Sequence, residues 1–544
     1  MMIRRLTELT IVAWCLLLPL GLFAPQQVEG AEASGKRPNI LFAFADDWGR
    51  YASIYGEQRP GGISDVVKTP HFDRVAREGV LFTNAYVNAP SCTPCRSSLL
   101  SGQYFWRTGQ GAILQGAVWD DKIPSYPLLL QDQGYHIGYT YKVWGPGTPT
   151  NAPYGAGKNS YGKRGGQFNS FSQFVSARDD IEAAKQVLYE QVRGNFQDFL
   201  GARKEGEPFC YWFGPTNCHR TWTQGSGKKL WGIDPDSLQG KLPKFLPDIP
   251  IVREDVADYL GEVQAFDAGL GVLLSELERI GELDNTLIVV SGDHGIPGMP
   301  RGKCNLYDLG TQVALAVRWG GAVPSGRVVE DFVCLPDLAP TFLEAAGVSR
   351  PDVMTAQSLL PVLRSEKSGQ VDPTRDHVLI GRERHVAAAR EGSLPYPQRA
   401  IRNSSYLYIR NFHPERAPMG DGPHIGKPDA EMPPYEKLRD RTFEAYSDLD
   451  ASPTKAWIAT HRQEPEMLPF FEFAFGYRPE EEMYDIRVDP DHLVNLARNP
   501  DYASQRRDLE TQLFNELSAT GDPRILEKNP RYESPPFTTS GPRR

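Results

Sequence analysis

Two acidic clusters and one cysteine segment hold the residues best able to do chemistry. Asp46-Asp47 follows the apolar run Asn39-Ile40-Leu41-Phe42-Ala43-Phe44-Ala45, and Asp293-His294 follows Leu287-Ile288-Val289-Val290-Ser291-Gly292. Unbroken hydrophobicity of this length reads as a strand buried on both faces of a parallel sheet. In such sheets the ligand crevice lies beyond the carboxyl ends of the strands. Neighbouring strands would therefore bring three carboxylates and an imidazole into one crevice. Close negative charges repel unless a cation neutralises them. Oxygen-rich ligands suit Ca²⁺ or Mg²⁺, while the histidine leaves room for a transition metal. The plainer reading is two unrelated strand-end turns. Cys92 and Cys95 form a C-x-x-C; its plain readings are a local disulfide or a redox pair, because the sequence offers no second half of a zinc site.

The surrounding pattern predicts the scaffold. Thr69 to Gly79 reads as a helix with Thr69 as N-cap, Pro70 in its first turn and Gly79 at its end. Val80-Leu81-Phe82 reads as a strand, as do Phe209–Phe213 and Val313–Val317. Val256, Leu260, Val263, Phe266, Leu270, Leu273, Leu274, Leu277 and Ile280 recur at helical spacing, and Gly281 closes that helix. Strands alternating with helices predict an α/β fold, a mostly parallel sheet sandwiched by helices. After about residue 370 the pattern changes. Val378-Leu379-Ile380, Ala400-Ile401-Arg402 and Tyr406-Leu407-Tyr408-Ile409 are short strands, residues 411–439 read as a long surface loop, and a last helix carries Leu509, Leu513, Phe514 and Leu517. The expected organisation is a leader over residues 1–33, a catalytic α/β domain over 36–370, a smaller C-terminal α+β domain with an antiparallel sheet over 371–528, and a loose tail over 529–544.

Composition narrows the function classes. The 544 residues carry 59 Lys and Arg against 68 Asp and Glu, a net charge of −9, which argues against bulk nucleic-acid binding. Hydrophobic residues at 40% and charged ones at 23% are ordinary globular usage. Arg4-Arg5, the apolar run Ile11 to Phe23 and Ala31-Glu32-Ala33 have the layout of a secretory signal peptide, and the run is shorter than the ~20 apolar residues of a membrane span. The expectation is an exported protein, periplasmic or extracellular (in a lysosome-like compartment if eukaryotic), with no stable membrane insertion. Seven cysteines are too few and too irregular for a disulfide-stapled fold; a bridge such as Cys210–Cys218 stays open.

The segment Pro90-Ser91-Cys92-Thr93-Pro94-Cys95-Arg96-Ser97-Ser98-Leu99-Leu100-Ser101-Gly102 resembles the C-x-P-x-R signature of the formylglycine-dependent sulfatases, of alkaline-phosphatase-like fold. Thr69-Pro70-His71-Phe72-Asp73 and Phe82-Thr83-Asn84-Ala85-Tyr86 precede it in that family's order. Asp293-His294-Gly295, then Lys303-x-x-x-Tyr307-Asp308-x-Gly310, and finally Tyr484-Asp485-x-x-x-Asp489-Pro490 and Asn495-Leu496-Ala497 follow it. The likeness spans roughly residues 38 to 520. It looks nearest the branch of heparan N-sulfatase (sulfamidase) and bacterial polysaccharide sulfatases, on Asp293-His294-Gly295-Ile296-Pro297, Gly302-Lys303-Cys304-Asn305-Leu306-Tyr307 and Leu246-Pro247-Asp248.

The resemblance implies roles. Cys92 would be oxidised to formylglycine (3-oxoalanine) by a maturation enzyme, and its hydrate would attack sulfur as a covalent nucleophile. Asp46, Asp47, Asp293 and His294, with residue 92, would hold the divalent cation, Ca²⁺ or Mg²⁺. Arg96, one helical turn on, would hold an oxygen of the hydrate. Lys142 and Lys303 would aim charge at the sulfuryl oxygens, and His219 would protonate the leaving oxygen. The family's histidine two residues after the first lysine is Trp144 here. Glu383, Arg384 and His385, in an arginine-rich stretch, are candidates for a substrate subsite; a solvated face or internal ion pairs would explain them equally. The substrate implied is a sulfated sugar or polysaccharide, O-sulfate ahead of N-sulfate. Rival readings are sulfamidase activity, a phosphatase or phosphodiesterase of the same superfamily, and a non-catalytic glycan binder in which Cys92 stays a thiol.

Overall fold

The computed structural model describes residues 36–423 and 430–533. The leader expected over residues 1–33, Pro535-Pro536 and Arg543-Arg544 lie outside them, as do residues 424–429 of the expected surface loop. Seven strands form the main sheet: β1 Asn39–Ala45, β2 Val80–Tyr86, β3 His136–Tyr141, β4 Phe209–Gly214, β5 Thr286–Gly292, β6 Leu315–Arg318 and β7 Arg327–Cys334. Their spatial order is β3-β4-β1-β5-β6-β2-β7. Only β6 runs against its neighbours, pairing antiparallel with β5 and β2. The strand expected from Val313 therefore begins at Leu315; Val313 makes an isolated bridge to Gly49 instead.

The two apolar runs became adjacent central strands. β1 pairs with β5 in parallel over its whole length, Asn39 to Thr286 through Ala45 to Gly292. Every residue of both strands is buried, as expected of a sheet covered on both faces. One face carries helices α1 Pro70–Arg77, α3 Ile181–Ala202 and the 30-residue α4 Pro250–Arg279. The other carries α2 Cys92–Ser101. Gly281 follows α4 with a φ of 69°, the left-handed conformation that ends helices.

The chain passes to a second, antiparallel sheet after β7. Its strands β8 His377–Arg382, β9 Gln398–Asn403, β10 Tyr406–Asn411 and β11 Glu481–Asp485 lie in the order β11-β10-β9-β8. The last helix, α5 Ala503–Ala519, buries Leu509, Leu513 and Leu517, while Phe514 is half-buried. Tyr86, Leu306, Phe332, Ile380, Ala400 and Leu407 share one apolar cluster that joins the two sheets. The tail was expected to be loose from residue 529, but it packs through Glu533. Tyr532 is buried and its hydroxyl donates to the Trp106 carbonyl (2.7 Å), and Glu533 accepts from Arg416 (3.0 Å). No described helix is long and apolar enough to cross a membrane.

Candidate active site

Four parallel neighbours, β3, β4, β1 and β5, present their carboxyl ends side by side, and each is followed by a polar residue of the site. These are Lys142 after β3, Asn217-Cys218-His219 after β4, Asp46-Asp47 after β1 and Asp293-His294 after β5. The backbone ties the loops together. Asp46 N donates to Asn217 O (3.1 Å), Cys218 N to Asp46 O (2.6 Å), and Asp293 N to Ala45 O (3.2 Å). Asp47 takes a left-handed φ of 60°, a conformation that Asp tolerates better than most residues. That turn sends its amide to Asp293 Oδ1 (2.7 Å) and its carbonyl to the Tyr259 hydroxyl (3.1 Å). A side chain at Gly295 would put a Cβ 1.7 Å from the Leu309 carbonyl oxygen, so the turn after His294 needs glycine.

Residue 92 enters the same crevice from the first turn of α2. Ligand atoms of Asp47, Cys92, Asp293 and His294 all lie within 4.8 Å of one another, and those of Asp46, Asp47 and His219 form a second such group. Cys92 Sγ is 3.4 Å from His294 Nε2, which is itself 3.2 Å from Asp47 Oδ1. The other ring nitrogen, Nδ1, lies 3.2 Å from the Gly295 carbonyl, which can only accept. That contact orients the ring so that Nε2 faces Asp47. The donor set, carboxylate oxygens with one imidazole, fits Ca²⁺ or Mg²⁺.

Cations surround the acids. Lys142 Nζ sits 2.7 Å from both oxygens of Asp46, and Lys303 Nζ lies 2.9 Å from Asp47 Oδ2. Burial alone would raise Asp46, but Lys142 and then Arg96 hold it well below the usual carboxylate range. Burial dominates at Asp293, which is raised despite His294 and Arg96. It also pushes the Cys92 thiol far up, so as a thiol this side chain is a poor anion.

Several expectations need correction. Arg96 does not reserve its guanidinium for residue 92. Nη2 goes to Asp46 Oδ1 and Nε to Asp293 Oδ2, both 2.9 Å, and Nη1 goes to the carbonyls of Lys142 (3.2 Å) and Val143 (3.0 Å). Four of its five N–H groups thus hold the acids and the Lys142 turn in place. Glu383 is not a substrate group. It is buried in ion pairs with Arg399 (2.8 Å) and Arg524. Arg384 lies against Gln115, donating to its carbonyl at 2.6 Å, and burial pulls its pKa down to about 10. His385 does reach the site, with Nδ1 2.8 Å from the hydroxyl of Ser91 beside Cys92. Burial, reinforced by Lys303, lowers it to about 3, so it is neutral at physiological pH. Cys210 and Cys218 are both free and buried, as are Cys92 and Cys95.

Trp144 turns away from the polar centre. Its ring is packed edge-on to Trp119, and its Nε1 donates to Ser97 Oγ (2.8 Å). Asp450 was missed by sequence reasoning. It lies 3.3 Å from Lys303 Nζ, and Lys303, His219 and His385 together draw its carboxyl far down against the effect of burial. It stands in an irregular Asp448-Leu449-Asp450 stretch before a helix, where no spacing marks it as part of the crevice.

The profile of the family described as Sulfatase matches residues 38–348. The chain belongs to the sulfatase family. It is a hydrolase of sulfuric ester bonds. An N-sulphoglucosamine sulphohydrolase of Homo sapiens is 28% identical over 521 residues, spanning 89% of this chain and 91% of its own. An ulvan-active sulfatase of Formosa agariphila is 24% identical over 507 residues, spanning 90% of this chain and 76% of its own. A solved structure in complex with its substrate D-glucosamine-2-N,6-O-disulfate superposes with a TM-score of 0.60 at 19% identity, covering 91% of this chain and all of that one. That last likeness is one of fold.

Proposed function

We propose that this sulfatase cleaves sulfate from a sulfated carbohydrate, using formylglycine made from Cys92 and a divalent cation, Ca²⁺ or Mg²⁺. The observation that carries the reading is the convergence of Cys92 Sγ with ligand atoms of Asp47, Asp293 and His294 within 4.8 Å. Asp46, bound by Lys142 and Arg96, would complete the ligand set. When bound, the cation supplies charge neutralisation and lowers the pKa of an oxygen nucleophile. The aldehyde hydrate at residue 92 supplies that nucleophile, a role the buried thiol serves poorly.

The chain's own groups account for the rest. Half-buried Lys142 and buried Lys303 are ammonium groups fixed on Asp46 and Asp47, oriented before substrate arrives. Preorganised charge in a dry site is the strongest means of stabilising a transition state rich in sulfuryl oxygen charge. The N-terminus of α2 adds its partial positive charge at the same point. His219, grouped with Asp46 and Asp47, would be the acid that protonates the leaving oxygen.

The relatives support a polysaccharide or glycosaminoglycan as the source of the sulfate. The full-length likeness to an N-sulphoglucosamine sulphohydrolase favours glucosamine N-sulfate as a second reading, after O-sulfate. The leader pattern supports export to the periplasm or outside the cell, and Cys92 implies a maturation enzyme. Mass spectrometry across residue 92, with turnover of an aryl sulfate against an aryl phosphate, tests the proposal. An unmodified cysteine in protein from its native host, or a preference for phosphate, rejects it.

A further inference from the structure

A second charged recess lies apart from the catalytic crevice. Its volume is about 450 Å³, within the ~300–1,000 Å³ range of small-ligand sites. It is walled by residues 50–64, 240–245 and 490–492, with Asp308, Leu309 and Gln312, and none of the acids or lysines of the catalytic crevice borders it. In a chain of net charge −9, Arg50, Arg59, Lys241 and Lys244 all face this one recess. Arg50 stands 4.9 Å over the Tyr55 ring and donates to the Thr83 carbonyl (2.8 Å). Lys241 pairs with Asp65 (2.5 Å). Arg59 and Lys244 are exposed, and among the described residues neither side chain makes an ion pair or hydrogen bond.

The acids at the border are already engaged. Both oxygens of Asp308 accept from Arg402 (3.0 and 2.9 Å), and Asp491 Oδ2 accepts from the Lys244 backbone amide (3.3 Å). His492, also on the wall, is 1% exposed, with its Nε2 3.9 Å from Asp308 Oδ2. Tyr51, half-buried, offers an apolar face, whereas Tyr55 and Phe245 are only 2% and 3% exposed. The two exposed, unpaired cations Arg59 and Lys244, beside Arg50 and Lys241 in one recess, match an anionic sugar. The cations take sulfate or carboxylate, and the half-buried Tyr51 ring takes the apolar sugar face.

We propose that this recess is a second, non-catalytic binding site for the anionic polysaccharide, holding sugar residues away from the bond being cut. The proposal rests on the sulfated-carbohydrate reading. Occupying both sites with one chain makes the second contact intramolecular and raises the local concentration of scissile sulfate.

The test uses the full chain carrying Cys92→Ala, titrated calorimetrically with a heparin hexasaccharide and with its desulfated counterpart. Binding of the sulfated sugar is expected to weaken at least tenfold when Arg59→Glu and Lys244→Glu are added, and the desulfated sugar, which keeps only its carboxylates, is expected to bind at least tenfold more weakly than the sulfated one. Unchanged affinity in the double variant, or equal binding of the desulfated sugar, overturns the proposal. So does a short duplex DNA that binds the recess as tightly as the hexasaccharide. If the charge reversals lower the melting temperature, the Arg59→Gln and Lys244→Gln pair is read instead, with a smaller loss expected and no loss overturning the idea. Aryl sulfate turnover by the unmutated enzyme separates the two readings. Failure there with charge-dependent hexasaccharide binding removes the catalytic reading alone, and turnover with charge-independent binding removes the recess alone.

Discussion

The Arg96 guanidinium bridges two acids from different strands, reaching Asp46 Oδ1 and Asp293 Oδ2 at 2.9 Å each. It is fully buried, and its edge also meets the carbonyls of Lys142 and Val143. A planar fork can span that gap in a way that a point charge cannot. Arg96→Lys should therefore lower activity and divalent-ion affinity by ~10–100-fold, as loss of an outer ligand support does. Arg96→Met takes the guanidinium from buried Asp293 and leaves Asp46 to Lys142 alone, and should cost about 3–5 kcal/mol of stability. Metal content and thermal melts check both, and a lysine variant with full metal affinity would refute the bridging role.

Cys92→Ala should abolish turnover with the fold intact, because one small buried side chain is lost from a helix otherwise held by its neighbours. Chelation should silence the unmutated enzyme, and Ca²⁺ or Mg²⁺ should restore it. Steady-state aryl sulfate assays read both results. Residual turnover in the alanine variant, or activity surviving exhaustive chelation, would contradict the site as described.

Much of the crevice was legible because its residues sit where the hydrophobic pattern stops. Asp46-Asp47 and Asp293-His294 end two apolar runs, and strand adjacency did the rest. What could not be read was anything set by tertiary packing. Arg96 lies at the spacing of a nucleophile partner, yet folding surrounds it with acids from β1 and β5. Glu383 was open between a substrate subsite and internal ion pairs, and only the fold, which brings Arg399 and the distant Arg524 to it, decides for the ion pairs. Asp450 lies 147 positions after Lys303 in an irregular loop, and only the fold brings the two within 3.3 Å. Strand β6 kept its apolar pattern but not its direction, since periodicity carries no information on strand polarity.

Asp450 shares the Lys303 ammonium with Asp47, and burial leaves that lysine strongly charged only because both acids face it. Asp450→Asn removes one of the two charges that hold the ammonium in position. The expected result is about a tenfold fall in kcat/KM, from weaker orientation of a preorganised charge. It should fall mainly on kcat if Lys303 acts on the transition state. Kinetics on an aryl sulfate check this, and an unchanged kcat would show that Asp47 alone suffices.

Asp267 on α4 gives a pH-dependent stability whose sign can be worked out. Its carboxyl accepts from the backbone amides of Phe72 (2.7 Å) and His71 (3.2 Å) in the first turn of α1. Burial pushes it up to about 8 against the pull of those two amides. In the unfolded chain an aspartate titrates near ~3.9. Between those values the folded state holds the extra proton, so the unfolding free energy falls as pH rises, by up to about 1.4 kcal/mol per unit. The stabilisation from this group is complete below pH ~4 and lost as pH passes through about 8. Asp267→Asn keeps an acceptor for Phe72 and cannot titrate. The difference in melting temperature, wild type minus variant, should therefore decrease steadily from pH 5 to pH 9. A difference that stays constant over that range would mean that the amides keep Asp267 ionised, and would reverse the assignment.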